Sequence, residues 1–183
     1  MKITILTGSN RDSATSTRLA VHVGQLISQK GHTVLVHDLF QTPLPFYSPE
    51  GVGHDHAAVQ QLQQAMRQAD AIVLASPEYH GSISGVLKNA LDYLGQDHFR
   101  GKAVLSLSSS GGAVGTSSLQ QLQAIVRNLH GINSPEWISI GGAQRNLLAD
   151  GLAAYEGSGS DIHDRIHHST LAFLELAELV KGK

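Results

Sequence analysis

The 183-residue chain contains no cysteine. This absence excludes disulfide bonds, thiolate nucleophiles and metal sites that use cysteine ligands. If the protein transfers electrons, a bound cofactor therefore has to carry them, because no side chain offers a redox-active thiol.

Charged residues are also few, at 15% of the sequence, and the formal net charge is only -2. A balance so close to neutral argues against a surface for nucleic acids or membranes. No apolar run is long enough to span a bilayer, and a strand-like segment starts at Ile3, which leaves no room for a signal peptide. We therefore expect a cytoplasmic protein.

The hydrophobic content of 41% is that of an ordinary globular protein. Domains commonly contain about 100–200 residues, so we expect a single domain that spans residues 1–183. A chain of this length buries roughly two thirds of its surface on folding, which allows a sizeable core.

Short apolar runs alternate with longer segments of helical periodicity. Runs rich in β-branched residues predict strands, and apolar residues spaced three and four apart predict helices. The predicted strands are residues 3–7, 33–39, 71–75, 103–107 and 137–140. The predicted helices are about residues 16–30, 57–68, 85–94, 116–129 and 162–180, and a glycine-containing connection precedes the last of them and extends to Ser160.

This alternation predicts an α/β fold. Because crossovers between parallel strands are right-handed and contain at least a helix, we expect a doubly wound five-stranded parallel sheet with helices on both faces. A common strand order for such a sheet is 2-1-3-4-5, and ligands then bind at the carboxyl ends of strands one, three and four. Those three ends carry the unusual loops of this sequence.

The first unusual loop follows strand one and is rich in hydroxyl groups. Ser9, Arg11, Ser16 and Thr17 offer hydroxyl donors and one cation at the start of a helix, which is the set that a phosphate needs. The loop lacks the lysine of a Walker motif and the later glycines of a dinucleotide fingerprint, so a single phosphate monoester fits best. The alternative is a solvated turn in which serine or threonine caps the helix.

The other two loops follow strands three and four. Residues 76–85 pass from a buried strand through Pro77 and two glycines into a helix, whose free backbone amides could hold an electron-rich ring or an anion. Ile83 stands where a nucleophile elbow requires serine, which disfavours a serine hydrolase. Gly111 and Gly112 would let the backbone approach a planar ligand and would direct the next helix N-terminus toward it; the alternative is an ordinary turn.

Two further features have competing interpretations. The connection over residues 40–56 holds three prolines and three aromatic residues, so it predicts a wall of the binding cleft, a subunit contact or a surface excursion. Two groups among the eleven histidines are candidate metal ligands, one around Asp55 (His54 and His56) and one at His163 and His167. They could ligate a metal, but exposed histidine is the more common explanation, and we predict no metal site.

The three loops together resemble the NADPH-dependent FMN reductase family, a flavodoxin-like group that includes azobenzene reductases. The resemblance is carried by Gly8-Ser9-Asn10-Arg11 with Ser16-Thr17, by Gly111-Gly112, and by the run Ser76-Pro77-Glu78-Tyr79-His80-Gly81-Ser82 that continues to Leu94. This run is the most specific of the three. The resemblance covers the chain well to about Leu129, and beyond it only through the order of elements.

By this resemblance, the cofactor is FMN and the co-substrate is NADPH or NADH. A hydride would pass from the nicotinamide to FMN, and a small electron acceptor such as a quinone, an azo compound, free flavin or a metal oxyanion would collect the electrons. The flavin carries the chemistry, so no obligatory acid or base is assigned. The resemblance places the FMN phosphate on Ser9, Arg11, Ser16 and Thr17, the isoalloxazine edge against Pro77, Glu78, Tyr79, His80, Gly81 and Ser82, and its pyrimidine end near Ser109, Gly111 and Gly112.

His80 is the least typical residue of this set, because many members of the family have asparagine there. One hypothesis is that its imidazole supplies a proton to the reduced flavin or to the acceptor, since histidine exchanges protons near neutral pH. The alternative is a hydrogen bond that holds the loop. The family also implies a homodimer or homotetramer whose cleft is completed by a neighbouring subunit, with Phe46 and Tyr47 as candidate contact residues.

Two other classes of protein fit the same loops. A flavodoxin-like electron carrier would bind FMN but exchange electrons with protein partners. Carriers of that kind are strongly acidic, whereas this chain is near neutral, which favours the enzyme. The third class is a module that binds a flavin or a nucleotide without turnover.

Overall fold

The computed structural model describes residues 1–148 and 161–182. In chain order its elements are β1 (Lys2–Thr7), α1 (Thr15–Gln29), β2 (Thr33–Asp38), α2 (Ala57–Gln68), β3 (Ala71–Pro77), α3 (Gly85–Asp92), α4 (Gln96–Phe99), β4 (Ala103–Ser109), α5 (Thr116–Asn128), β5 (Ile132–Asn133), β6 (Ile138–Ile140), α6 (Gln144–Leu147) and α7 (Asp161–Val180).

The strands form one parallel sheet in the order β2-β1-β3-β4-β5, which confirms the predicted order 2-1-3-4-5. The registers of the central strands match at their carboxyl ends, where Thr7 pairs with Ala75 and Pro77 pairs with Ser109. The carboxyl ends of β1, β3 and β4 therefore lie side by side at one edge of the sheet.

Two apolar clusters cover the two faces of the sheet. Successive residues of a strand point to opposite faces, so Ile5 belongs to one cluster and Leu6 to the other. The first cluster includes Leu19 of α1 and Phe173 of α7, and the second includes residues of α2, α3 and α5 such as Leu62, Leu87 and Leu122. Every residue of β3 and β4 is buried, as expected for parallel strands that are covered on both faces.

The fifth position of the sheet is filled by two short segments. β5 pairs with the beginning of β4 and β6 pairs with its end, so together they act as one interrupted strand. The predicted strand at 137–140 found β6 and missed β5. Pro135 stands between the two segments, and proline has no amide hydrogen to continue the ladder.

Other boundaries differ in ways that have local causes. The helix predicted to reach residue 94 ends at Asp92, and the four-residue helix α4 follows Gly95. α4 and α6 are too short to show helical periodicity in the sequence, so both were missed. β3 and β4 each continue two residues further than predicted, because Ser76 pairs with Ser108 and Pro77 with Ser109. Of the predicted connection to Ser160, residues 149–160 lie outside the described part of the chain.

None of the helices that the structure describes is both long and apolar enough to cross a bilayer.

A buried histidine gives the fold a dependence on pH. The His98 side chain is 3% exposed, and its Nδ1 accepts a hydrogen bond from the Gly95 amide at 2.9 Å. Burial lowers the pKa of His98 below its ordinary value of 6.5, although Asp97 acts in the opposite direction. Burial also lowers the pKa values of His22 and His37.

These shifts predict a loss of stability in mild acid. A histidine whose folded pKa is depressed binds fewer protons in the folded than in the unfolded state, so the free energy of unfolding falls as the pH drops below about 6.5. His98→Asn retains an acceptor for the Gly95 amide but removes the titrating group. We expect this variant to lose less stability than the wild type between about pH 8 and about pH 5, measured by urea unfolding. His130→Asn, at an exposed position, is the control, and an unchanged slope in His98→Asn would contradict the assignment.

Candidate active site

A cleft of about 270 Å³ opens where the loops after β1, β3 and β4 meet. Six of the residues that sequence reasoning nominated line it, namely Arg11, Pro77, Glu78, Tyr79, Ser109 and Gly111. Its remaining lining residues, which sequence reasoning did not nominate, are Ala14, Thr15, Ser110 and Arg145. The three loops therefore converge on one cavity at the edge that the strand order predicts.

The loop after β1 is fixed to its neighbours by short polar contacts. The Gly8 amide donates to the Ala75 carbonyl at 2.7 Å, and the Ser84 hydroxyl donates to the Gly8 carbonyl. Ser84 Oγ also accepts from the Leu87 amide, at 3.1 Å, so it caps α3 at the same time. A side chain at Gly8 would collide with Leu87. This loop and the start of α3 thus form one unit.

Ser9 is buried within the same loop. Its Oγ accepts from the Arg11 amide at 3.1 Å, so this hydroxyl shapes the turn that presents the Arg11 side chain to the cleft.

The N-terminus of α1 has the features of an anion site. No side chain of the residues that the structure describes caps the helix, and its first turn holds no acidic residue. The hydroxyl oxygens of Ser16 and Thr17 are buried and have no hydrogen-bond partner among residues 1–148 and 161–182. Buried hydroxyls without partners are costly, and helix N-terminal amides attract negative charge. A phosphate group would satisfy both requirements, so these residues fit the phosphate of FMN.

The loop after β3 contains a tight hairpin turn. Tyr79 and Ser82 exchange two backbone hydrogen bonds of 3.0 Å each. Between them, His80 and Gly81 have φ angles of 53° and 72°, as in a type I′ turn. Gln121 of α5 holds the turn from outside: it accepts from Ser82 Oγ at 2.8 Å and donates to the Gly81 carbonyl at 3.0 Å.

Glu78 joins the loops after β3 and β4. Its amide donates to the Ser109 carbonyl at 2.7 Å, and its Oε2 accepts from the Ser118 amide at 2.9 Å. The sequence predicts that the helix after Gly112 directs its N-terminus at a ligand, but in the structure the Glu78 carboxylate takes up the Ser118 amide in the first turn of α5. The side chain of Glu78 therefore serves the architecture of the cleft wall.

The remaining nominated residues lie outside the cleft lining. Ser9, Ser16 and Thr17 support the loop and the first turn of α1, and Gly112 stands beside the lining residue Gly111. His80, Gly81 and Ser82 form the hairpin turn next to Tyr79, and the His80 side chain is exposed. The assignments of all these residues to FMN stay predictions.

Neither histidine group gathers a metal site. His54 packs against Tyr47 and Tyr93, with ring centroids 5.8 and 5.3 Å away. The His163 ring faces His22 of α1 at 6.0 Å. Across the described ranges, no three histidine or acidic side chains are placed to hold one metal ion.

The connection over residues 40–56 is attached to α3. Asn89 donates to the Pro45 carbonyl and accepts from the Tyr47 amide, both at 2.8 Å, and the Tyr93 hydroxyl donates to the Phe46 carbonyl at 3.1 Å. None of its residues lines the cleft described above. The Phe46 side chain is 92% exposed although its backbone is held in place.

Sequence reasoning missed Arg145 and Gln121. Arg145 lies on α6 and lines the cleft, and Gln121 braces the hairpin turn. The roles of both residues arise from contacts between segments that are distant in sequence. The periodicity of apolar residues does not reveal such contacts. The pair Gly141-Gly142 after the last strand was the one local indication that the backbone there approaches another segment.

Comparison with solved structures places the chain in the flavodoxin-like class of α/β proteins. An apo NADH:FMN oxidoreductase superposes with a TM-score of 0.74 at 18% identity, covering 100% of this chain and 91% of its own. The flavoenzyme FerB of Paracoccus denitrificans, an NAD(P)H:(acceptor) oxidoreductase, gives 0.73 at 19% identity, with 98% of each chain covered. A flavodoxin from the domain Archaea gives 0.62 at 15% identity, with 98% of this chain and 99% of its own covered.

Sequence comparison identifies the family. The family model for NADPH-dependent FMN reductase matches residues 1–145. An FMN-dependent NADPH-azoreductase of Staphylococcus saprophyticus is 36% identical over 155 residues, 82% of each chain, and one of Staphylococcus aureus (strain USA300) is 34% identical over 143 residues, 76% of each chain. The chain belongs to the NADPH-dependent FMN reductase family, which confirms the predicted fold and family.

The geometry of the hairpin turn predicts which residues position 80 tolerates. Asparagine adopts positive φ readily, so we expect His80→Asn to keep the wild-type stability. A β-branched residue is strained there, so His80→Val should lower the free energy of unfolding by about 1–2 kcal/mol in urea titrations. Equal stability of the two variants would contradict the left-handed conformation at this position.

Proposed function

We propose that the protein is an oxidoreductase that binds FMN, reduces it with NADPH and transfers the electrons to a small acceptor, with azo compounds as the first candidates. The observation that carries the proposal lies at the N-terminus of α1, near the Arg11 that lines the cleft: the buried hydroxyls of Ser16 and Thr17 have no partner, and the helix has no side-chain cap, among the described residues. Membership of the NADPH-dependent FMN reductase family and the azoreductase relatives support it.

In this proposal each of the three loops contacts a different part of FMN. The phosphate would lie on Arg11, Ser16, Thr17 and the first amides of α1, with Ser9 shaping the loop. The ring would lie against residues 77–82 on one side and Ser109, Gly111 and Gly112 on the other. Bound FMN would supply the redox chemistry, namely acceptance of a hydride from NADPH and transfer of two electrons to the acceptor.

The protein supplies orientation. Glu78 ties the loop after β3 to Ser109 and to the first turn of α5, so the two walls that would flank the ring keep a fixed separation. Gln121 keeps the hairpin turn in place beside Tyr79. Tyr79 is 43% exposed and stands at the edge of the cleft, where NADPH and the acceptor would enter in turn.

The function is tested by mixing the purified protein with FMN and NADPH under nitrogen. We expect the yellow colour to bleach, and an azo dye added afterwards should lose its colour while the flavin reoxidises. Colour that persists with NADPH but bleaches with dithionite would overturn the enzyme and support the electron carrier, the second candidate. Failure to bind FMN would overturn both.

A double variant tests the proposed phosphate site separately. Hydrogen bonds to a charged group are worth about 1.5–3 kcal/mol each, so the double variant Ser16→Ala/Thr17→Val should weaken FMN binding at least about tenfold. Ser117→Ala removes an exposed hydroxyl from the corresponding turn of α5 and is the matched control. Fluorescence titration of FMN measures both variants, and equal affinities would remove these two hydroxyls from the site.

The hypothesis that His80 donates a proton is tested in the same assay. His80→Asn keeps a residue suited to the left-handed turn and removes only the imidazole. If its turnover rate and pH profile equal those of the wild type, the side chain does not supply the proton.

We also propose that the protein forms a homodimer or homotetramer through the connection over residues 40–56. An aromatic side chain that is 92% exposed on a backbone held by Asn89 and Tyr93 is a suitable anchor for a second subunit. Phe46→Ala should therefore lower the mass measured by light scattering after size exclusion. Tyr47→Ala should act similarly but also removes a packing partner of Tyr93, at 5.3 Å. Leu179→Ala, at a 68% exposed position on α7, is the control, and an unchanged mass for Phe46→Ala would refute the contact.

A further inference from the structure

The cleft contains a second arginine that the three-loop pattern does not include. Arg11 follows β1, and Arg145 follows β6, which pairs with β4. In the strand order, β3 and β4 stand between β1 and the interrupted outer strand. The two arginines therefore reach the cleft from the two ends of its row of loops.

The backbone that carries Arg145 is attached directly to the loop after β4. The Ser110 amide donates to the Ile140 carbonyl at 2.9 Å, and the Gly142 amide donates to the Gly112 carbonyl at 2.7 Å. A side chain at Gly141 would collide with the backbone of Gly112 and Ala113, so only glycine allows this approach. The position of α6 relative to the cleft is thus fixed by backbone contacts.

The side chain of Arg145 extends over the same loop. Its Nη1 lies 3.8 Å from the point where a Cβ of Gly111 would stand. The guanidinium group is therefore next to the glycine that lines the cleft, at the end of the row opposite the Arg11 loop.

The charge of the cleft differs from that of the whole protein. The chain has a formal net charge of -2, whereas the cleft lining has two arginines and one carboxylate, Glu78. That carboxylate accepts the Ser118 amide, and none of the ion pairs within the described ranges involves Arg11 or Arg145. One anionic phosphate accounts for Arg11. Arg145 lies at the opposite end of the row of loops, where a second source of negative charge would have a cation beside it.

We propose that Arg145 stabilises the negative charge that the ring of bound FMN gains on reduction. The proposal rests on the function proposed above, in which the phosphate would lie at Arg11 and α1 and the ring would lie near Ser109 and Gly111. Transfer of a hydride, which carries two electrons and one proton, would leave NADP⁺ and would give the bound ring one additional negative charge until the acceptor removed the electrons. A permanently charged guanidinium beside Gly111 favours the reduced form over the oxidised one.

The test is the two-electron midpoint potential of FMN bound to the intact protein. In Arg145→Met we expect reduced FMN to bind about tenfold more weakly relative to oxidised FMN, which corresponds to a potential about 30 mV more negative. Arg145→Lys keeps the charge and should restore most of the difference. Arg127→Met, an exposed arginine in the last turn of α5, is the matched control and should leave the potential unchanged.

The outcomes separate this inference from the function on which it rests. If the wild type is not reduced by NADPH, the proposed function fails. If the wild type is reduced but Arg145→Met and the second neutral variant, Arg145→Gln, both keep its potential, only the role of Arg145 is refuted. The role of Arg145 would also be refuted if Arg145→Met raised the KM for NADPH more than the KM for NADH, relative to the wild type, and left the potential unchanged. The arginine would then bind the additional phosphate of NADPH.

Discussion

The candidate site depends on the parallel pairing of β1, β3 and β4. Because the three strands run in one direction and end in register, segments far apart in sequence leave the sheet at the same edge. Each loop then contributes only a few polar groups, and their combination forms the cleft. The helices on both faces bury the strands and keep this edge in a fixed position.

Backbone and carboxylate contacts between the loops organise the cleft in advance. Glu78 connects the loops after β3 and β4, and Gly142 connects the latter to the segment with Arg145. Ordering loops at the moment of binding costs conformational entropy, and walls that are already connected avoid part of that cost. Among the buried side-chain atoms that have no partner within the described ranges, the hydroxyls of Ser16 and Thr17 lie at the start of α1, beside the cleft-lining residues Ala14 and Thr15.

The sequence predicted the elements and motifs that depend on local residue patterns. It did not predict the features that depend on contacts between segments distant in sequence. Apolar periodicity located the main strands and helices, because each of them packs its apolar residues against the sheet. The alternation of elements predicted the strand order, and the loop motifs predicted the family. It missed β5, whose two residues precede Pro135, since so short a segment has no periodicity. It also missed Arg145 and Gln121, because their roles arise from segments that meet only in the fold.

The hydroxyl of Ser84 has a consequence for how this enzyme family can diverge. It donates a hydrogen bond to the Gly8 carbonyl and accepts one from the Leu87 amide, while the Ser84 amide donates to Ser76 Oγ. One residue therefore connects the loops after β1 and β3 to the start of α3. A substitution at Ser84 would disturb the loop after β1, the loop after β3 and the start of α3 at once, which leaves little scope for gradual change. Variation within the family is therefore expected at exposed positions on the rim of the cleft, such as Tyr79, where a substitution leaves the contacts of Ser84 intact.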